Sequence, residues 1–150
     1  MDWIYIAGFF DGEGSITHNS GIGFRVSIPQ TNEQVLNEIR DFTRLGSVIK
    51  ITKRQPHWKD CWVYAIANKK DVLHFLNKIT PYLIVKKGLS LKVIAELKQQ
   101  LIDIEIKKKI HDKRKHEAKL LRLKGWDYRK IGKELKIDWG YARRLILDLV

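Results

Sequence analysis

From Trp3 to Phe10 the chain reads WIYIAGFF, an apolar run that continues straight into Asp11-Gly12-Glu13-Gly14. Continuous apolar content closed by glycine predicts a helix over 2–11 that stops at 12–14. A helix without a polar side must be buried all round. Trp3, Ile6, Phe9 and Phe10 give it one side for the chain's own core. Ala7, Gly8, Asp11 and Gly12 share the other, because residues three and four apart are neighbours on a helix. Gly8 and Gly12 let a second backbone come very close. One chain with one such helix meets both requirements by pairing with a copy of itself about a two-fold axis. That pairing brings two copies of Glu13 together at helix ends whose partial charge is already negative, an arrangement that a divalent cation would offset.

The rest of the first hundred residues alternates strands and helices. Runs over 15–19 and 23–29 read as strands, with Ser20-Gly21-Ile22-Gly23 as the turn. Helical spacing returns over 31–45 through Val35, Leu36, Ile39 and Phe42, with Asn32 as N-cap and Gly46 as the stop. Two further strands, 47–54 and 61–67, flank a loop over 55–60. A helix capped at Asn68 runs to about residue 79 and ends at Pro81, and a long helix follows over roughly 88–109. Two strand–strand–helix units predict an α+β fold with one antiparallel sheet and helices on one face. The uncovered face is expected to carry Ser15, Thr17, Asn19, Arg25, Ser27, Lys50, Thr52 and Arg54.

Charge selects the partner. Lys and Arg number 29 against 17 Asp and Glu, a formal net charge of +12, which suits a polyanion such as nucleic acid. An anionic membrane fits less well, since no apolar run approaches about 18 residues and Asp2 is an acid where a signal peptide carries basic residues. The single cysteine, Cys61, excludes an internal disulfide and any all-cysteine metal site, and an intracellular setting is expected. The five histidines lack zinc-ligand spacing, so no zinc is expected. Trp62, Tyr64 and Ile66 read as core.

Composition divides the chain into a core over 1–106, a basic segment over 107–117 and a tail over 118–150. In the tail, a helix through Leu120, Leu121 and Leu123 stops at Gly125, Asp127 caps 128–135, and Asp138 caps a helix from Trp139 to about residue 147. Short helices joined by the turn Lys136-Ile137-Asp138 resemble a helix-turn-helix. Trp139, Tyr141, Arg143 and Arg144 would lie on its recognition helix.

IAGFFDGEG, residues 6–14, resembles the LAGLIDADG motif of homing endonucleases position by position, with Ile6 for the first Leu, Gly12 for the second Ala and Glu13 for the last Asp. The strand and helix order agrees over roughly the first 100 residues. The resemblance implies an αββαββα core whose antiparallel sheet forms a saddle in the DNA major groove, with single-motif chains acting as homodimers. It implies a nuclease dependent on Mg²⁺ or Mn²⁺ that cuts both strands with short 3′ overhangs and serves intron or intein homing. Carried over residue by residue, Glu13 is the metal-binding acid and the Gly12 carbonyl its neighbour. Asp11 is structural, Gln30 sits near the attacking water, and Lys86, with Lys87 as second candidate, stabilises the transition state. A further basic residue of some relatives would fall near Glu33-Gln34, where this chain has none. The same resemblance leaves two alternatives: an intron RNA maturase and a catalytically inactive DNA-binding regulator.

Overall fold

The computed structural model describes residues 1–19, 23–53, 55 and 57–147, so the expected turn at 20–22 and Arg54 lie outside the described residues. The chain divides into two compact units, Met1–Leu101 and Ile102–Val150.

In the first unit, α1 (Trp3–Glu13) leads into β1 (Ser15–Asn19) and β2 (Gly23–Gln30), then α2 (Glu33–Thr43), β3 (Ser47–Ile51), β4 (Cys61–Ile66) and α3 (Lys69–Ile79). A single 3-10 turn, Thr80–Tyr82, precedes α4 (Lys87–Leu123). The side-chain oxygens of Asp2, Asn32 and Asn68 accept N–H groups of the first turns of α1, α2 and α3, the local reason these helices begin where they do. The four strands form one antiparallel sheet in the order β1-β2-β4-β3.

Phe24, Val26 and Ile28 of β2 and Tyr64 and Ile66 of β4 point to one face and are buried with Ile6 and Phe10 of α1, Leu36 and Ile39 of α2, and Phe75 and Leu76 of α3. This is the α+β layer expected from the alternation, with helices against one face of the sheet. The Tyr64 hydroxyl lies 2.9 Å from the Thr43 hydroxyl within that core. Burial pushes the Tyr64 phenol up to about 12, against the opposing hydrogen bond from Thr43. Gly46 turns α2 into β3 at φ +65, and a Cβ there would meet the Ala65 carbonyl oxygen at 2.3 Å, so only glycine fits.

Strand pairing alters one expectation. Lys50 pairs with Trp62 and lies in the same alternating set as Val48 and Tyr64, on the helix-covered side and not with Ser15 and Ser27. Its ammonium sits 5.3 Å from the Trp62 ring centroid and 3.4 Å from the Asp60 carboxylate. Thr52 falls beyond the end of β3. The residues of β3 that do share the open face are Ser47, Ile49 and Ile51.

In the second unit the basic segment over 107–117, which runs beyond the expected end of the long helix at about 109, is helical throughout, since α4 is continuous from Lys87 to Leu123. Residues 107–119 contain neither Gly nor Pro, and Glu105–Lys109 and Lys113–Glu117 pair one turn apart. Then α5 (Tyr128–Leu135) and α6 (Trp139–Leu147) enclose a small core of Ala118, Ile131, Ala142 and Leu145. Asp127 and Asp138 cap these two helices as the sequence predicts. A Cβ on Gly132 would lie 2.9 Å from the Ile137 carbonyl oxygen and 3.2 Å from the Trp139 Cα, so glycine allows the tight turn between α5 and α6.

Candidate active site

The site is built at the C-terminal end of α1. Ile6, Ala7 and Phe10 are fully buried in the unit's own core, which sets the rotation of the helix. Gly14 follows because a Cβ there would sit 2.1 Å from the Phe10 ring. The opposite side of α1 is open: Ile4 is 62% and Tyr5 48% exposed, and Gly8 and Gly12 are exposed beside them. A Cβ on either glycine would meet nothing within 4 Å. Nothing inside the described chain therefore requires these glycines, although each costs a helix about 1 kcal/mol relative to alanine. Of the four residues expected on the pairing face, Gly8 and Gly12 are open, Asp11 is half-buried, and Ala7 faces inward.

Asp11 points at the segment that precedes α4. Its Oδ2 accepts the N–H of Ile84 at 2.7 Å and of Val85 at 2.9 Å, and its Oδ1 accepts the N–H of Lys86 at 2.8 Å. Desolvation works against the charged carboxylate. The N–H groups of Lys86, Val85 and Ile84 and the nearby Lys86 charge outweigh it, holding Asp11 below the ordinary carboxylate value. The Lys86 ammonium returns to the Asp11 backbone carbonyl. Lys86 also opens α4, because its carbonyl accepts the Ser90 N–H at 2.9 Å. Ser90 in turn is buried against the Thr80 hydroxyl, 2.6 Å away, which ties the start of α4 to the end of α3.

Glu13 closes α1, about 3 Å further along the helix axis than Asp11. It is exposed and has no hydrogen bond or ion pair among the described residues, and no basic residue occupies the last turn. Gln30 ends β2, three residues past Ser27, the partner of Ser15 at the start of β1. That extension of roughly 10 Å carries β2 back alongside the end of α1. Gln30 Oε1 accepts the Thr31 N–H at 2.8 Å, leaving its amide N–H groups unpaired among the described residues. Lys87 is the first residue of α4, next to Lys86.

The donor set fits a hard divalent cation. Glu13 and the Gly12 carbonyl are oxygen donors, and Mg²⁺ takes one or two carboxylates and completes its shell with water and phosphate. Among the described residues no three His, Cys, Asp or Glu gather into a metal site.

On the open face of the sheet, Ser15 pairs with Ser27 and Thr17 with Arg25, and Asn19 pairs with Gly23 at the far end. The Ser15 and Ser27 hydroxyls are 2.9 Å apart. In the tail, Trp139 is 53% exposed and Arg143 and Arg144 are exposed. Tyr141 is half-buried, with its hydroxyl 3.0 Å from His111 Nδ1 of α4. No helix among the described residues is long and apolar enough to cross a membrane.

A family profile described as a LAGLIDADG-like domain matches residues 3–80, more than half of the chain. The chain belongs to the LAGLIDADG family. Among solved structures, the archaeal intron-encoded homing endonuclease I-Vdi141I, complexed with DNA, is 23% identical with a TM-score of 0.53, over 96% of this chain and 93% of that one. The LAGLIDADG meganuclease I-AabMI, bound to uncleaved DNA, is 17% identical with a TM-score of 0.56, over 79% of this chain and 44% of that one. These likenesses show the LAGLIDADG fold. The chain spans 65% of the length of the homing endonuclease I-CvuI and 38% of the meganuclease I-SmaMI. A search of the curated proteins found no match.

The sequence did not point to Ile84 and Val85, whose N–H groups hold Asp11. Backbone donors leave no trace in residue type. Nor did it point to Ile49 and Ile51 on the open face, because apolar residues in an alternating strand are read as inward.

Proposed function

We propose that the chain is a homodimeric, site-specific DNA endonuclease that makes staggered double-strand cuts with short 3′ overhangs and serves the mobility of an intron or intein. The observation that carries this reading is the pair Gly8 and Gly12, open and without a close neighbour among the described residues, on the same helix as Glu13, which is unpaired among them. A second copy of α1 laid across the glycines covers Ile4 and Tyr5 and places two Glu13 carboxylates at one position.

In this reading the Glu13 carboxylates and the Gly12 carbonyls hold Mg²⁺ or Mn²⁺. The cation, once bound, lowers the pKa of water and offsets phosphate charge. Gln30 offers its free amide N–H groups to orient the attacking water. Lys86 places its ammonium beside the scissile phosphate, where negative charge grows in the transition state. Asp11 positions Lys86 through the three backbone bonds. The open sheet face, with Ser15, Thr17, Asn19, Arg25 and Ser27, reads base edges in the major groove. Trp139, Arg143 and Arg144 extend the grip along the phosphates.

Lys50, on the helix-covered side, then lies off that surface, and Thr52 follows the end of β3. The test is digestion of genomic DNA by purified protein with Mg²⁺, followed by sequencing of the ends. Unique staggered cuts that vanish in Glu13→Gln are expected. Binding of intron RNA or of duplex DNA with no cutting at any protein concentration would favour the maturase or the inactive regulator instead.

A further inference from the structure

The open sheet face has two chemically different halves. Ser15, Ser27, Ala65 and Ser47 form one row across all four strands. On one side of that row come Thr17 with Arg25, then Asn19 with Gly23. On the other come Pro29, Val63 and Ile49, then Cys61 and Ile51. The first half is polar and basic. The second is apolar, yet Ile49 is 51% and Ile51 44% exposed. Beyond Ile51 the apolar strip opens into a shallow hollow that also touches Lys53, Trp58, Lys59 and Cys61. A stability-only strand would bury its isoleucines, whereas β3 leaves Lys50 on the side of Trp62 and presents Ile49 and Ile51 to the open face.

We propose that this apolar half is a thymine-reading surface, in which Ile49, Val63 and Ile51 contact thymine methyl groups in the major groove of the target. The proposal rests on the DNA-endonuclease reading and adds a specificity to it. Duplex DNA is favoured because the strip is continuous with the polar, basic half and is bordered by Lys53 and Lys59, so the occupant must be anionic and apolar in alternation. Of the base edges exposed in the major groove, only thymine presents a methyl group. RNA lacks it, and the A-form major groove is too narrow to admit a sheet. Successive rows lie two residues apart along each strand, about 6.8 Å, or close to two base-pair steps. The two halves therefore address different stretches of one half-site.

The test begins with selection of bound duplexes from a randomised library by the full chain. Each thymine of the selected sequence is then replaced singly by deoxyuridine, which removes only the methyl. At thymines facing the apolar half, affinity is expected to fall about three- to fivefold per methyl. At those facing Ser15, Thr17 and Arg25 it changes by less than about twofold. The variants Ile49→Ser and Ile51→Ser, at exposed positions, should lose the response to deoxyuridine while still binding the duplex.

Uniform indifference to deoxyuridine overturns the proposal and leaves the endonuclease reading standing, as does a response that survives both variants. Failure to select any duplex overturns both. A shift from dimer to monomer in Ile49→Ser with an unchanged deoxyuridine response makes the strip a protein contact and also overturns it.

Discussion

Asp11 and Lys86 hold each other twice: the Lys86 N–H donates to Asp11 Oδ1 at 2.8 Å, and the Lys86 ammonium donates to the Asp11 backbone carbonyl. Residues 75 positions apart are thereby fixed together at the place where α1 ends and α4 begins. Replacing Asp11 with Ala removes an acceptor for three N–H groups. It should lower stability by about 1 kcal/mol or slightly more, the contact being partly exposed, and Tm by about 4–8 °C. Cutting should fall further than the loss of folded protein explains, because Lys86 loses its position. Calorimetry and a cleavage assay below the melting range separate the two effects.

The same contact carries a pH dependence. The folded-state value of Asp11 lies below its ordinary 3.8. The ionised carboxylate is therefore the form that folding favours. Its contribution is fully present above that ordinary value and is lost as pH falls through the lower folded-state value. The Tm difference between wild type and Asp11→Ala should be constant near neutrality and shrink in acid below about pH 4. A difference that widens in acid would contradict the assignment.

Gly8→Leu should fold, since a Cβ there meets nothing within 4 Å among the described residues and the position is exposed. Removing a helical glycine can raise the stability of the isolated chain by up to about 1 kcal/mol. Sedimentation should nevertheless show a monomer, with cutting lost although Glu13 is untouched. A stable dimer formed by Gly8→Leu would contradict the pairing of α1 helices.

Gly14→Ala should behave in the opposite way. A Cβ at Gly14 would lie 2.1 Å from the buried Phe10 ring, so ring or backbone must move. Overpacking of this kind costs about 1–3 kcal/mol, read as a lower midpoint in urea. The glycines of one motif thus serve different ends: Gly14 the chain's own core, Gly8 and Gly12 a surface outside it.

How much of this could be read in the sequence follows from what each residue does. α1 and its end at the DGEG segment were legible because apolar runs and glycines act locally, whereas its cap, Asp2, was read as part of the helix. The two hairpins and their helices followed from alternation. The face of β3 did not. Alternation gives two faces but not which is covered, and assigning isoleucine inward placed Lys50 on the wrong side. Ala7, read as part of the pairing face, is fully buried, because a small residue at the edge of an apolar stripe fits either side. The unbroken α4 was obscured by charge, although its sequence holds no helix breaker over 107–119. The contacts of Asp11 could not be seen at all, since their donors are backbone groups far along the chain.

The tail offers a separate prediction. Arg143→Ala with Arg144→Ala should weaken DNA binding without changing which phosphodiester is cut. If both side chains contact phosphate, the slope of log affinity against log salt should fall in magnitude by about 1.8, roughly 0.9 per contact. An unchanged slope would confine Arg143 and Arg144 to roles other than phosphate contact.

Each chain is proposed to carry half of an active site, and mixed dimers put this to the test. Wild-type chain and Glu13→Gln chain are refolded together in varied proportion, and total strand scission of the selected duplex, nicks and double-strand cuts together, is measured with Mg²⁺. If both Glu13 carboxylates are required, activity follows the square of the wild-type fraction, so an equal mixture retains roughly a quarter. A linear dependence, with about half retained, would mean that each chain carries a complete site and would contradict the account.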